Sequence, residues 1–233
     1  MTSPTFFPLS PSAMLMTVGN RIDVNLTYRI ARFVELLDKE SVPSVLDVIP
    51  SYSTILVIYD QTVISCEPLE RLLTELWNLA EDGPEARHSR TVAIPVVYGD
   101  DFGEDLEDVS AHTGLLPEEV IERHLAGHYT VGALGFAPGF AYLIGLAPEL
   151  ATPRRARPRT HVPAGSIGIG GEQTGTYALS TPGGWNLIGR TPLRLFRPEK
   201  DDPFVLRMGD QVRFERIGVE EFHRAEKGVG EQE

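Results

Sequence analysis

Four arginines, Arg154, Arg155, Arg157 and Arg159, form the one dense basic run of an acidic chain. A guanidinium is a planar fork that meets a carboxylate with two hydrogen bonds, so carboxylate capture is the chemistry open to this run. Pro153, Pro158 and Pro163 stiffen it, which lowers the entropy lost on binding. Its plain structural alternative is a solvated loop that balances nearby acids. Arg155 and Arg159, together with Arg190 after Ile188-Gly189, are the substrate-binding candidates of this kind.

His124 and His128 stand four apart. A zinc-protease pair at that spacing needs a glutamate directly after the first histidine and one unbroken helix. Here Leu125 follows His124 and Gly127 intervenes, so no metal site is expected. His124 falls on the apolar face of a helix, where a satisfied core histidine is the ordinary outcome. His128 opens the next strand. Both are candidate catalytic residues, because histidine is the side chain best placed to move protons near neutrality. Gln173, Thr174 and Tyr177 follow a glycine-rich turn and could polarise a carbonyl oxygen; turn chemistry and a core tyrosine are the alternative. Phe140, with Phe136, Tyr142 and Trp185, could wall an apolar pocket or simply be core. Gln173, Tyr177 and Phe140 join the arginines as substrate-binding candidates.

These residues need elements to hold them. Ala13–Val18 reads as a short apolar strand, and Leu26, Ile30, Phe33, Val34 and Leu37 recur at helical spacing after Asp23 or Asn25 as cap. Strands follow at Val45–Ile49 and Ile55–Tyr59. A second helix carries Leu69, Leu72, Leu73, Leu76 and Leu79 and stops before Gly83-Pro84, and Thr91–Val97 is the next strand. The order β-α-β-β-α-β is that of a ferredoxin-like unit. Two short helices follow, near Glu104–Ala111 and from Pro117, the second ending at Gly127 as a left-handed cap.

From Gly132 to Pro192 the texture changes, and more than half of the glycines lie there. Aromatic and β-branched residues are interleaved with them, which disordered segments lack. Short strands joined by tight turns are expected, continuing at Leu193–Phe196, Phe204–Leu206 and Gln211–Phe214, with a closed barrel as the outcome. The fold class expected is α+β: an N-terminal ferredoxin-like module over 1–90, a β-barrel over 91–220, and a polar, frayed C-terminal tail over 221–233.

Bulk properties narrow the function. The chain has 233 residues and a formal net charge of −12. That balance argues against nucleic-acid and anionic-membrane partners, which need a basic footprint. Cys66 is the sole cysteine, the N-terminus does not read as a signal peptide, and no apolar run is long enough to span a bilayer, so a cytoplasmic location is expected. Gly168-Ile169-Gly170-Gly171-Glu172-Gln173 lacks the third glycine of a dinucleotide loop, no phosphate-binding P-loop is present, and Gly165-Ser166-Ile167-Gly168 lacks nucleophile-elbow spacing.

The ensemble of motifs says more than any one of them. Ile94-Pro95-Val96-Val97-Tyr98-Gly99, Asp105-Leu106, Glu119-Val120-Ile121 with His124, Tyr129-Thr130-Val131, Gly135-Phe136-Ala137-Pro138-Gly139-Phe140-Ala141-Tyr142-Leu143, Pro153-Arg154-Arg155, Pro158-Arg159, Val162-Pro163-Ala164-Gly165-Ser166, Gln173-Thr174-Gly175, Pro182-Gly183-Gly184-Trp185 and Ile188-Gly189-Arg190-Thr191-Pro192 occur in this order. Together they closely resemble the KipI-like family, which includes the B-type subunit of bacterial 5-oxoprolinase and is also called allophanate hydrolase subunit 1. Ala178 departs from the family, which usually has proline there. The resemblance implies a cyclophilin-like identity for the barrel and a partner, the C-type subunit of 5-oxoprolinase, acting with the A-type one. It implies ATP-dependent opening of 5-oxoproline to glutamate, with ATP and Mg used by the complex and no cofactor evident in this chain alone. The substrate would be a small lactam bearing a carboxylate, held at that carboxylate by Arg159 or Arg190, met at its carbonyl by Gln173 and Tyr177, with His124 or His128 moving protons. Two other functions go with the same resemblance: inhibition of a histidine kinase, and membership of a urea or allophanate amide-hydrolysing system.

Overall fold

The computed structural model describes residues 3–81 and 90–230, the side chains of 228–230 excepted. The chain divides into two compact units, Met1–Ser89 and Arg90–Glu233.

The first unit contains β1 (Thr5–Ser10), β2 (Ala13–Thr17), α1 (Val24–Glu40), β3 (Val45–Pro50), β4 (Thr54–Tyr59) and α2 (Cys66–Leu79). Its four strands form one antiparallel sheet in the order β1-β2-β4-β3. Alternation decides which face is buried: Met14 and Met16 on β2 and Ile55, Val57 and Tyr59 on β4 are fully covered, while their neighbours are not. Ile30, Phe33 and Leu37 of α1 and Leu69, Leu73, Leu76 and Trp77 of α2 supply the rest of this core. The Asp23 side chain accepts from the Leu26 N–H at 3.1 Å and caps α1, as its position in the sequence suggests.

The expected β-α-β-β-α-β unit is not completed as drawn. Its last strand, Thr91–Tyr98 (β5), pairs in the barrel, parallel to Gln211–Arg216 (β13). The edge of the first sheet beside β2 is taken instead by β1, which the sequence reading missed. Pro8 spoils its strand pattern, and an edge strand tolerates a proline that a central one would not. The expected stop of α2 at Gly83-Pro84 lies outside the described residues.

The second unit is built on a closed barrel. After β5 come a 3₁₀ turn at Asp100–Phe102, α3 (Leu106–Thr113), α4 (Pro117–Leu125), β6 (Tyr129–Leu134) and β7 (Ala141–Ile144). Then follow β8 (Arg159–Val162), β9 (Ser166–Gly170), β10 (Gln173–Thr176), β11 (Thr181–Gly183), β12 (Asn186–Arg190), β13 and α5 (Val219–Gly230). The barrel order is β10-β7-β6-β13-β5-β12-β9, and β8 and β11 form a separate two-stranded sheet. Ile94, Val96, Tyr129, Val131, Leu143, Ile167, Ile169, Ile188, Val212 and Phe214 belong to its core.

Three local expectations are corrected. Leu193–Phe196 and Phe204–Leu206 are not strands; only an isolated bridge joins Phe196 to Phe204. Gly127 is not left-handed, since α4 ends on Ala126 with φ −75°. A side chain at Gly127 would instead collide with the Tyr129 ring, so close approach is what requires glycine there. The polar tail from 221 onward is a helix as far as Gly230, and its Phe222 is buried.

Candidate functional site

The arginine run is organised by a residue that composition does not single out. Asp105, just ahead of α3, is 1% exposed. Its backbone N–H donates to the Leu187 carbonyl at 2.9 Å, and its Oδ2 accepts the Leu187 N–H at 2.7 Å. Arg159 grips the same carboxylate with two hydrogen bonds, Nη1 to Oδ2 at 2.8 Å and Nη2 to Oδ1 at 2.7 Å. Arg155 donates to Asp105 Oδ1 as well, and reaches Asp108 at 3.5 Å; Arg159 also meets Glu104 at 3.2 Å. The bonds to Asp105 hold the Arg159 guanidinium above its ordinary pKa. A buried carboxylate needs such partners, because unpaired it would bear the full desolvation cost. Arg155 and Arg159 are therefore engaged inside the protein, contrary to their expected role of gripping a ligand. Nothing in the sequence distinguished Asp105 from Glu104, Glu107 and Asp108 around it.

The other arginines differ. Arg190 places its guanidinium 4.8 Å from the Phe102 ring and 5.1 Å from that of Phe222, a cation between two aromatics. Arg154 lies over Trp185 at 5.6 Å. Trp185 is the centre of an aromatic cluster: Phe140 meets it edge-on at 5.6 Å, Tyr142 at 5.8 Å, and Phe140 also meets Tyr177 at 4.9 Å. Phe140, Tyr177 and Trp185 are buried with Val162 and Leu187, so Phe140 is floor and not contact surface. Burial raises the Tyr177 phenol, while a backbone hydrogen bond at Trp185 and the charge of Arg154 oppose that rise. Tyr142 remains half-buried. The structure thus brings together Arg154, Tyr142, Tyr177, Phe140 and Trp185 on one side of the β8–β11 loops.

The histidines separate. His124 is fully buried, with Nδ1 2.9 Å from the Tyr98 hydroxyl and Nε2 2.9 Å from Thr174 Oγ1. Thr174 gives its one hydroxyl proton to the Gly168 carbonyl at 3.1 Å, so Nε2–H donates to Thr174 and Nδ1 accepts from Tyr98. Burial drives the His124 pKa down to about 3, and the imidazole is neutral and satisfied. It is a core histidine, sealed from any substrate. His128 stands exposed ahead of β6. Gln173, half-buried, opens β10 opposite Gly170.

The β6–β7 loop holds the most strained backbone of the region. Phe136 has φ +68° and is 64% exposed, and the Ala137 N–H donates back to the Gly135 carbonyl at 2.8 Å. Left-handed geometry in a bulky residue costs of order 1–3 kcal/mol. Phe136 and Pro138, with Leu134 and Phe204, line an open apolar hollow.

The glycine-rich turn of residues 168–173 joins β9 to β10 as a hairpin and leads into no helix. Its N–H groups are thus not arrayed as a phosphate cradle, and the described residues of this chain do not fit an ATP site. Among the described residues no three His, Cys, Asp or Glu side chains gather to hold a metal ion, and no helix is long and apolar enough to cross a membrane.

Residues 4–206 match the family described as carboxyltransferase domain, subdomain C and D. The chain is 42% identical to the B-type subunit of 5-oxoprolinase from Bacillus subtilis, over 92% of this chain and 93% of that protein. It is 25% identical to the urea amidolyase of Lachancea kluyveri over 88% of this chain, but over only 13% of that much longer protein. The crystal structure of TTHA0988 superposes with a TM-score of 0.79 at 37% identity, covering 88% of this chain and 40% of that one. The folded unit therefore occurs both as a chain of its own length and as part of longer chains. With its second-unit barrel and first-unit sheet both inside the matched span, this protein belongs to the carboxyltransferase-domain family, subdomains C and D.

Proposed function

We propose that this chain is the B-type component of an ATP-dependent 5-oxoprolinase and opens the 5-oxoproline lactam to glutamate only together with partner subunits of the C and A types. The observation that carries this reading is full-length likeness to a protein of that name at 42% identity. The cyclophilin-like description of the barrel and the ferredoxin-like description of the first unit belong to the same reading, as does a cytoplasmic location.

The substrate offers a carboxylate at one end and a lactam carbonyl at the other. Water adds to the carbonyl carbon, the C–N bond breaks, and the nitrogen leaves as an amine after taking a proton. A five-membered lactam resists this addition, so ATP supplies the driving force. Its site is placed on a partner protein, since the turns of this chain do not suit it. On this chain the loop of residues 153–159 faces the substrate with the aromatic cluster beneath it. Gln173 is kept for the carbonyl side. His128 is the histidine proposed to move the proton, because it is exposed where His124 is sealed.

Co-expression with the candidate C-type and A-type partners, followed by a glutamate-release assay with ATP and 5-oxoproline, tests the reading. Release is expected from the assembled complex and not from this chain alone. An assembled complex that releases nothing overturns it. Likeness to a urea amidolyase favours one rival, a urea-derived amide as substrate, and turnover of allophanate in place of 5-oxoproline would select it.

A further inference from the structure

The geometry points to Arg154 as the guanidinium that receives the substrate's carboxylate. This rests on the function proposed above and names the residue that reading requires. Four arginines lie in the loop, and two are engaged by one buried carboxylate and its acidic neighbours. Arg154 and Arg157 are exposed and, among the described residues, neither forms an ion pair.

Arg154 differs from Arg157 in how it is held. The residues on both sides of it are pinned: Asn186 Nδ2 donates to the Pro153 carbonyl at 2.9 Å, and the Arg155 N–H donates to the Gly184 carbonyl at 2.7 Å. Asn186 itself is buried and also bonded to the Ile169 carbonyl at 3.1 Å, so the pin reaches into the barrel. The guanidinium then rests over Trp185, which is 4% exposed and wedged by Phe140 and Tyr142. Stacking occupies a face of the cation and leaves its in-plane N–H edges for a bidentate carboxylate. The backbone and the ring are ordered before any ligand arrives, which lowers the cost of binding. The apolar floor serves a small ring compound, since the half-buried edge of Tyr142 beside Trp185 suits methylene groups. A carboxylate on a partner protein would share the charge chemistry, but it has no need of that floor.

The test uses the assembled complex carrying Arg154→Ala, Arg154→Lys or Arg157→Ala, with size-exclusion chromatography for assembly and steady-state kinetics on 5-oxoproline. For Arg154→Ala the KM is expected to rise about 10- to 100-fold, the usual worth of a charge-assisted bidentate contact, with kcat held within about two-fold. Arg154→Lys should recover part of the loss, since it keeps the charge and loses the fork. Arg157→Ala should match the parent. An unchanged KM in Arg154→Ala, or an equal rise in Arg157→Ala, overturns the assignment while leaving the function intact. Loss of assembly in Arg154→Ala gives the residue to the partner and overturns it too. A parent complex that assembles but is silent on 5-oxoproline brings down the function itself, and this assignment with it.

Discussion

Arg159 closes on Asp105 through two near-parallel hydrogen bonds, 2.8 Å and 2.7 Å long, across 54 positions of sequence. That pair ties β8 to the start of α3 and, through the Leu187 N–H, to β12. The loop between residues 153 and 159 is thereby a fixed element of the second unit.

Arg159→Ala is accordingly expected to act on stability and not on substrate. Arg155 remains to partner Asp105, so the loss should be about 2–3 kcal/mol and not the larger cost of a fully orphaned charge. Urea unfolding measures it. In the assembled enzyme the KM for 5-oxoproline should stay at the parent value; a KM rise without destabilisation would return Arg159 to the ligand.

His124 predicts an acid-sensitive core. Its folded pKa of about 3 lies below the ordinary 6.5, so between those values the unfolded chain binds the proton and the folded chain does not. The stability is complete above pH 6.5 and is lost as pH falls toward the folded value. Lowering the pH from 6.5 to about 4.5 should remove about 2–3 kcal/mol through this residue alone. Urea melts at the two pH values, compared between the parent and His124→Gln, check it. An equal pH effect in both proteins sinks the assignment.

Gly139→Ala tests the β6–β7 loop. Gly139 has φ +76°, and a Cβ there would lie 2.8 Å from the Ala178 Cβ and 3.0 Å from the Phe196 Cβ. Left-handed strain and overpacking add, for a loss of about 2–4 kcal/mol. Thermal unfolding reads this directly, and a melting temperature equal to the parent's would show that the loop relaxes freely.

Phe222→Ala tests the docked C-terminal helix. Phe222 is 1% exposed, 4.8 Å from the Phe102 ring, and shares Arg190 with it. Removing it should cost about 3 kcal/mol and open residues beyond 218 to proteases. Limited proteolysis of parent and variant side by side decides whether α5 is held or frayed.

Legibility differed between elements and site for physical reasons. The helices α1, α2 and α4 and the strands β2, β4 and β5 were readable because each has a buried face, and a buried face imposes a period of 3.6 or 2 on the residues that fill it. The edge strand β1 has no such face, and five of its six residues are exposed, so it left no pattern. α5 resembles a polar tail because only one face is covered and Phe222 is the large side chain on it.

For the candidate site, the sequence by itself determined which chemistry was present: guanidinium groups on a proline-stiffened loop, aromatics near them, and two histidines, in an order that resembles one family. Only the tertiary structure decided which of these groups are available. The carboxylate that occupies Arg155 and Arg159 arrives from about fifty residues earlier, and the hydroxyls that hold His124 come from positions 98 and 174. Availability is a matter of desolvation and of partners distant in the chain, and chain closure, not local spacing, sets both.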